Sequence, residues 1–89
     1  MKYKTARYKN IDVSYLPELD GGGDDFGQEF IRIVKEKTGK VDHIFEFCAG
    51  PGFIGFALLA HGLCNTLTLA DVNPEAVKAC EDTIRRNNL

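Results

Sequence analysis

Residues 44–55 read Ile44-Phe45-Glu46-Phe47-Cys48-Ala49-Gly50-Pro51-Gly52-Phe53-Ile54-Gly55, a short apolar and aromatic run followed by a glycine-rich turn. The run, Ile44–Cys48, has the composition of a buried strand. The turn opens a helix through Ile54, Phe56, Ala57, Leu58, Leu59 and Ala60, which Gly62 is expected to end. Gly50-x-Gly52-x-x-Gly55 between a strand and a helix has a physical use. Glycine tolerates the positive φ of a tight turn, and a ligand can approach its backbone with no Cβ in the way. The helix start beyond it also presents N–H groups that hold an anion.

Downstream, Thr66-Leu67-Thr68-Leu69-Ala70-Asp71 reads as a second strand. Asn73 follows as N-cap with Pro74 at the first helical position. The last helix is expected to bury Ala76, Val77, Cys80 and Ile84 and to fray at Asn87-Asn88. Strand, helix, strand, helix at these spacings predicts a βαβα unit with a parallel pair, a partial Rossmann-like open sheet. Two parallel strands make a poor sheet alone, and the chain stops where a third is expected. Residues 41–89 therefore read as the first half of a larger α/β domain, with 1–40 a strand, loop and helix segment before it.

In that segment Lys2, Lys4, Arg7 and Lys9 precede Glu18, Asp20, Asp24, Asp25 and Glu29, and both blocks read as solvated surface. Ile11, Val13 and Tyr15 alternate as in a half-buried strand. Pro17 and Gly21-Gly22-Gly23 break regular structure. Asp25 is expected to cap a helix with Phe26, Phe30, Ile33 and Val34 on its apolar face, ending at Gly39. Tyr3, Tyr8 and Tyr15 lie among basic residues, where they either stack on bases or pack.

The 89 residues hold one small domain at most, and a net charge of -2 excludes a strongly basic nucleic-acid binder. Cys48, Cys64 and Cys80 have no zinc spacing and read as reduced thiols. No apolar run is long enough for a membrane span, and no apolar stretch follows the basic N-terminus as a signal would require. A cytoplasmic location is the expectation. His43 and His61 carry no assigned role.

Asp71 lies 21 residues after Gly50, at the carboxyl end of the second strand, where a carboxylate can accept both hydroxyls of a ribose. The alternative is an Asx-type turn. Glu46, four residues before Gly50, separates two cofactor classes. Beside a pyrophosphate a carboxylate is repulsive, whereas a ligand carrying an ammonium and a sulfonium gains from it. The alternative for Glu46 is a structural role, accepting backbone N–H bonds within the turn.

Residues 44–55 resemble the first motif of the class I S-adenosylmethionine-dependent methyltransferases, an acid followed by G-x-G-x-G, with Cys48 at the first glycine position. Asp71-Val72-Asn73-Pro74-Glu75-Ala76-Val77 through Leu89 is similar to methyltransferases that modify ribosomal RNA guanines or protein glutamines. The resemblance implies S-adenosylmethionine as cofactor. It puts Glu46 near the methionine ammonium and the backbone of Ala49, Gly50 and Gly52 against the methionine and ribose. It also puts Asp71 on the ribose hydroxyls and Val72 over the adenine. Phe26, Gly27 and Gln28 resemble a segment that closes over the cofactor; the other reading is a helix start with Phe26 anchoring the core. The family's third strand and its Asn/Asp-Pro-Pro acceptor motif are missing, so the chain alone is expected to transfer no methyl group. RNA or protein is the expected acceptor class, and a second copy or the missing half of the domain the expected partner. Two readings compete: a nicotinamide-binding oxidoreductase fragment, and a non-enzymatic α/β interaction module.

Overall fold

The computed structural model describes residues 3–20 and 22–89; Lys2 of the basic block and Gly21 of the glycine run lie outside them. The described elements are β1 (Lys4–Tyr8), β2 (Ile11–Tyr15), α1 (Gly23–Lys37), β3 (Val41–Phe47), α2 (Phe53–Ala60), β4 (Cys64–Ala70) and α3 (Pro74–Arg86). They make a mixed α/β structure with two separate two-stranded sheets, β1–β2 antiparallel and β3–β4 parallel. The parallel pair, with Ile44 opposite Leu67 and Glu46 opposite Leu69, is consistent with a partial Rossmann-like sheet.

Half of the basic block is a strand. β1 and β2 pair in full register, Lys4 opposite Tyr15 and Tyr8 opposite Ile11. Lys4 and Arg7 stay in solvent, as expected of the block, and Arg7 pairs across the hairpin with Asp12 at 2.8 Å. Tyr8, Ile11 and Val13 turn inward and join Ile31, Phe53, Phe56, Ala57 and Leu58 in the core. Tyr8 is buried and Tyr15 packs on Phe53 with ring centroids 5.1 Å apart, so neither is offered for base stacking.

Three expected packing faces are corrected. α1 starts at Gly23 with Gly22 as N-cap, so Asp25 lies in the first turn and does not cap it. Its buried stripe is Gly27 and Ile31, while Phe26 and Phe30 face outward, 52% and 37% exposed; Phe26 is no core anchor. The reason is Gly27: it lies against the Tyr8 ring and the Phe53 carbonyl, and a close helix approach there turns the bulkier residues away. In α3 the buried residues are Ala76, Ala79, Cys80 and Thr83; Val77 and Ile84 line a groove beside β4. β3 is not a fully buried strand. Ile44 and Glu46 face α2, whereas Phe45 and Phe47 are 56% and 74% exposed, because no described element covers that face of the sheet.

α3 also ends in order. Asn88 is left-handed, and Leu89 N–H donates to the Ile84 carbonyl at 2.9 Å, closing the last turn that was expected to fray. No helix among the described residues is long and apolar enough to cross a membrane.

Candidate functional site

The carboxyl ends of β3 and β4 lead into two loops that meet. Residues 48–52 turn the chain from β3 into α2, and residues 71–73 turn it from β4 into α3. Ala49 N–H continues the ladder to the Ala70 carbonyl at 3.1 Å, and Gly52 N–H closes the turn on the Ala49 carbonyl at 2.9 Å. Asp71 ties the loops together. Its Oδ2 accepts from Gly50 N–H and its Oδ1 from Asn73 N–H, both at 2.9 Å. From below, the Cys80 thiol donates to the Gly50 carbonyl at 3.3 Å.

The backbone of the turn is therefore largely spent on itself. The N–H groups of Ala49, Gly50 and Gly52 all have internal acceptors, so they form a closed shelf and not an anion cradle. The glycines serve packing as much as access. A Cβ on Gly52 would sit 2.8 Å from both Leu69 and Phe56, and Gly52 has φ +86. A Cβ on Gly55 would sit 2.8 Å from Leu67 and Leu69 and 2.9 Å from Glu46 Oε1. Cys48 stands in the left-handed region at φ 52, where a side chain is strained, and is exposed at the edge of the turn.

Two carboxylates bracket this shelf with different electrostatics. Asp71 is half-buried, and hydrogen bonds from Asn73 and Gly50 hold its carboxyl below the usual range, so it is ionised at neutral pH. It makes the Asx-type turn of the alternative reading, and its oxygens keep further lone-pair sites for hydroxyl donors. Glu46 Oε1 accepts from Gly55 N–H at 3.0 Å, inside the first turn of α2. Burial pushes the Glu46 carboxyl up to about 7, with the Gly55 N–H pulling the other way.

The expected site residues divide between two grooves: Ala49, Gly50 and Asp71 line one beside β4 with Val77, Cys80 and Ile84, Glu46 lines another, and Gly52 lies in the turn between them. Val72, next to Asp71 in the loop, is fully exposed. Phe26 lines the groove of Glu46, with Cys48 and Ile54, about 520 Å³ between α1 and the outer edge of β3. Gln28 does not join them and bonds along its own helix to Asp24. The residue missed in sequence is Cys80, whose helical spacing marked it only as core. His43, on the open face of β3, bonds to the Thr66 and Thr68 hydroxyls. His61 is held below its ordinary pKa by burial and by Lys9 and Lys35. No group of His, Cys, Asp and Glu among the described residues is placed to hold a metal.

Over 60 residues the chain is 35% identical to the release factor glutamine methyltransferases of Chlamydia trachomatis serovars L2 and D. The match takes in 67% of this chain but 19% of each relative, so the chain spans about a fifth of the length of the curated relatives it matches. No family model matches the chain, and no solved structure does. The similarity is to a methyltransferase, and it is partial.

Proposed function

We propose that residues 41–89 are the first half of an S-adenosylmethionine-binding Rossmann-like domain, the cofactor-binding part of a methyltransferase whose acceptor is RNA or protein. The observation that carries this reading is Glu46 Oε1 on Gly55 N–H. In a dinucleotide site the first turn of this helix receives a pyrophosphate. Here Glu46 Oε1 already occupies the Gly55 N–H, which takes that donor from a phosphate and leaves the carboxyl's second oxygen for a cation. The partial similarity to glutamine methyltransferases supports the same choice over a nicotinamide cofactor.

In this reading Asp71 accepts the ribose hydroxyls through the lone pairs that Gly50 and Asn73 leave. The closed turn of Ala49, Gly50 and Gly52 gives the methionine and ribose a flat backbone to lie on. Val72 covers one adenine face, and Glu46 offers its second oxygen to the ammonium. The cofactor, when bound, supplies an electrophilic methyl group on its sulfonium. Titration calorimetry of the folded chain with S-adenosylhomocysteine and with NAD tests the proposal. Tighter binding of the homocysteine ligand is expected; tighter binding of NAD overturns it.

A further inference from the structure

The groove between α1 and the outer edge of β3 has aromatic and aliphatic walls, Phe26, Phe30, Phe45, Phe47 and Ile54 among them, and one carboxyl, Glu46. That carboxyl is wedged from behind. The space over Gly55 that a Cβ would take is already crowded by Glu46 Oε1 and by the Leu67 and Leu69 methyls, at 2.8–2.9 Å. The Leu67 and Leu69 methyls and Glu46 Oε1 thus meet over Gly55, which puts apolar groups on that side of the carboxyl.

Among the described residues nothing positive lines this groove. α2, Phe53–Ala60, carries no titratable side chain, and β4 contributes only the Cys64 thiol at its far end. α1 lines the groove with Phe26, Phe30, Val34 and Thr38, none of them charged. α3 brings the Cys80 thiol and the Glu81 carboxylate, and the two turns bring Cys48 and Asp71; burial first, and then the charges of Glu46, Asp71 and Glu81, push the Cys80 thiol up. Among the described residues no lysine or arginine pairs with Glu46. A carboxyl with one backbone donor, apolar walls and no cation beside it is pushed toward its uncharged form by burial, in line with its rise to about 7.

We propose that Glu46 is a neutral carboxyl in the empty groove and ionises when the cationic end of a ligand enters, so that binding releases one proton to solvent. The ligand's identity rests on the methyltransferase reading above; the proton coupling is the addition. Oε1 keeps its Gly55 bond, the proton leaves Oε2, and Oε2 then pairs with the ammonium. By linkage the affinity must rise with pH until Glu46 is ionised in the free chain.

Two measurements on the full chain test this. Carbon-13 NMR of the free protein follows the Glu46 carboxyl, and titration near pH 7 is expected; titration near 4.5 overturns the proposal without any ligand. Calorimetry with S-adenosylhomocysteine at pH 5.5, 6.5 and 7.5, in buffers of different ionisation heat, counts released protons. Affinity should fall about tenfold per pH unit below 7, with close to one proton released per ligand at pH 5.5 and only about a quarter of one at 7.5. In Glu46→Gln both dependences should vanish. Ligand binding that is strong but independent of pH and buffer overturns the coupling and leaves the methyltransferase reading standing. No binding at any pH overturns both.

Discussion

At the scale of single residues, the candidate site is built on carboxylates that already accept backbone N–H groups. Asp71 holds two loops and is free to accept more. Asp71→Ala is therefore expected to lose charge-assisted bonds costing roughly 1.5–3 kcal/mol, seen as about a 10–150-fold weaker S-adenosylhomocysteine dissociation constant. An unchanged constant removes Asp71 from the site, and circular dichroism separates this from unfolding. Glu46 makes stability depend on pH in the opposite sense from an ordinary paired carboxylate. Its pKa is 4.5 as an unperturbed group and about 7 when folded, so folding takes up a proton between those values. Stability should be full below about 4.5 and decline as pH rises to 7. The loss is at most about 3 kcal/mol, and smaller because solvent reaches the carboxyl. Urea titrations across that window should show the slope, and Glu46→Gln should flatten it. Cys48 is the third case. Its left-handed φ of 52 is strained for a residue with a Cβ, so Cys48→Gly should gain about 0.5–1 kcal/mol in a urea titration.

At the scale of elements, two contacts hold the site on its scaffold. α2 lies close on β4 because Gly55 has no side chain to separate them. Gly55→Ala improves helix propensity by about 1 kcal/mol, yet overpacking against Leu67 and Leu69 should cost about 1–3 kcal/mol, so a net loss or no gain is expected. A clear gain would show that the helix can shift. The other contact is a clamp between β2 and the end of α3. Ser14 N–H donates to Thr83 Oγ1 at 2.8 Å, and Asn87 exchanges two bonds with the Asp12 backbone at 2.8 and 2.9 Å. Ser14 Oγ adds a bond to Asp82 at 2.6 Å, with Arg86 donating to the same hydroxyl. These side chains satisfy the β2 edge that β1 leaves unpaired. Thr83→Val keeps the shape but strands the Ser14 N–H, which is wholly buried. A loss of about 1–3 kcal/mol in urea unfolding is expected.

At the scale of the whole molecule, the parallel sheet is uncovered on the face that carries Phe45 and Phe47. At 56% and 74% exposure these two rings leave roughly 200–300 Å² of apolar surface in water. The hairpin does not shield it, since β1 and β2 form their own sheet and pack on α2 and α3 instead. Both edges of β3–β4 are open among the described residues. An apolar face beside an open strand edge favours association, so the chain is expected to associate with its own copies through β3. Light scattering over a tenfold concentration range should show mass above the monomer, and Phe45→Ser with Phe47→Ser should reduce it. A monomer at every concentration would sink this expectation.

The local pattern was enough for most of the elements of residues 41–89. Alternating and apolar runs, the glycine turn and the Asn73-Pro74 start are properties of neighbouring residues, and the backbone answers to them directly; Asn73 Oδ1 does accept from Glu75 N–H at 2.9 Å. That the loops after β3 and β4 meet was legible for the same reason, because a parallel βαβ connection brings both strand ends to one side; Asp71 Oδ2 on Gly50 N–H is that meeting. Which face of an element is buried was not legible. Phe26, Phe45, Phe47, Val77 and Ile84 are as apolar as any core residue, and only the tertiary structure, by placing Gly27 against Tyr8 and nothing over β3, decided that they stand in water. The strand in the basic block escaped detection because its pattern is completed by β2, a partner in space. The internal saturation of the turn also needed coordinates: whether a glycine N–H meets a ligand or a carboxylate of the same chain depends on atoms that sequence places far apart.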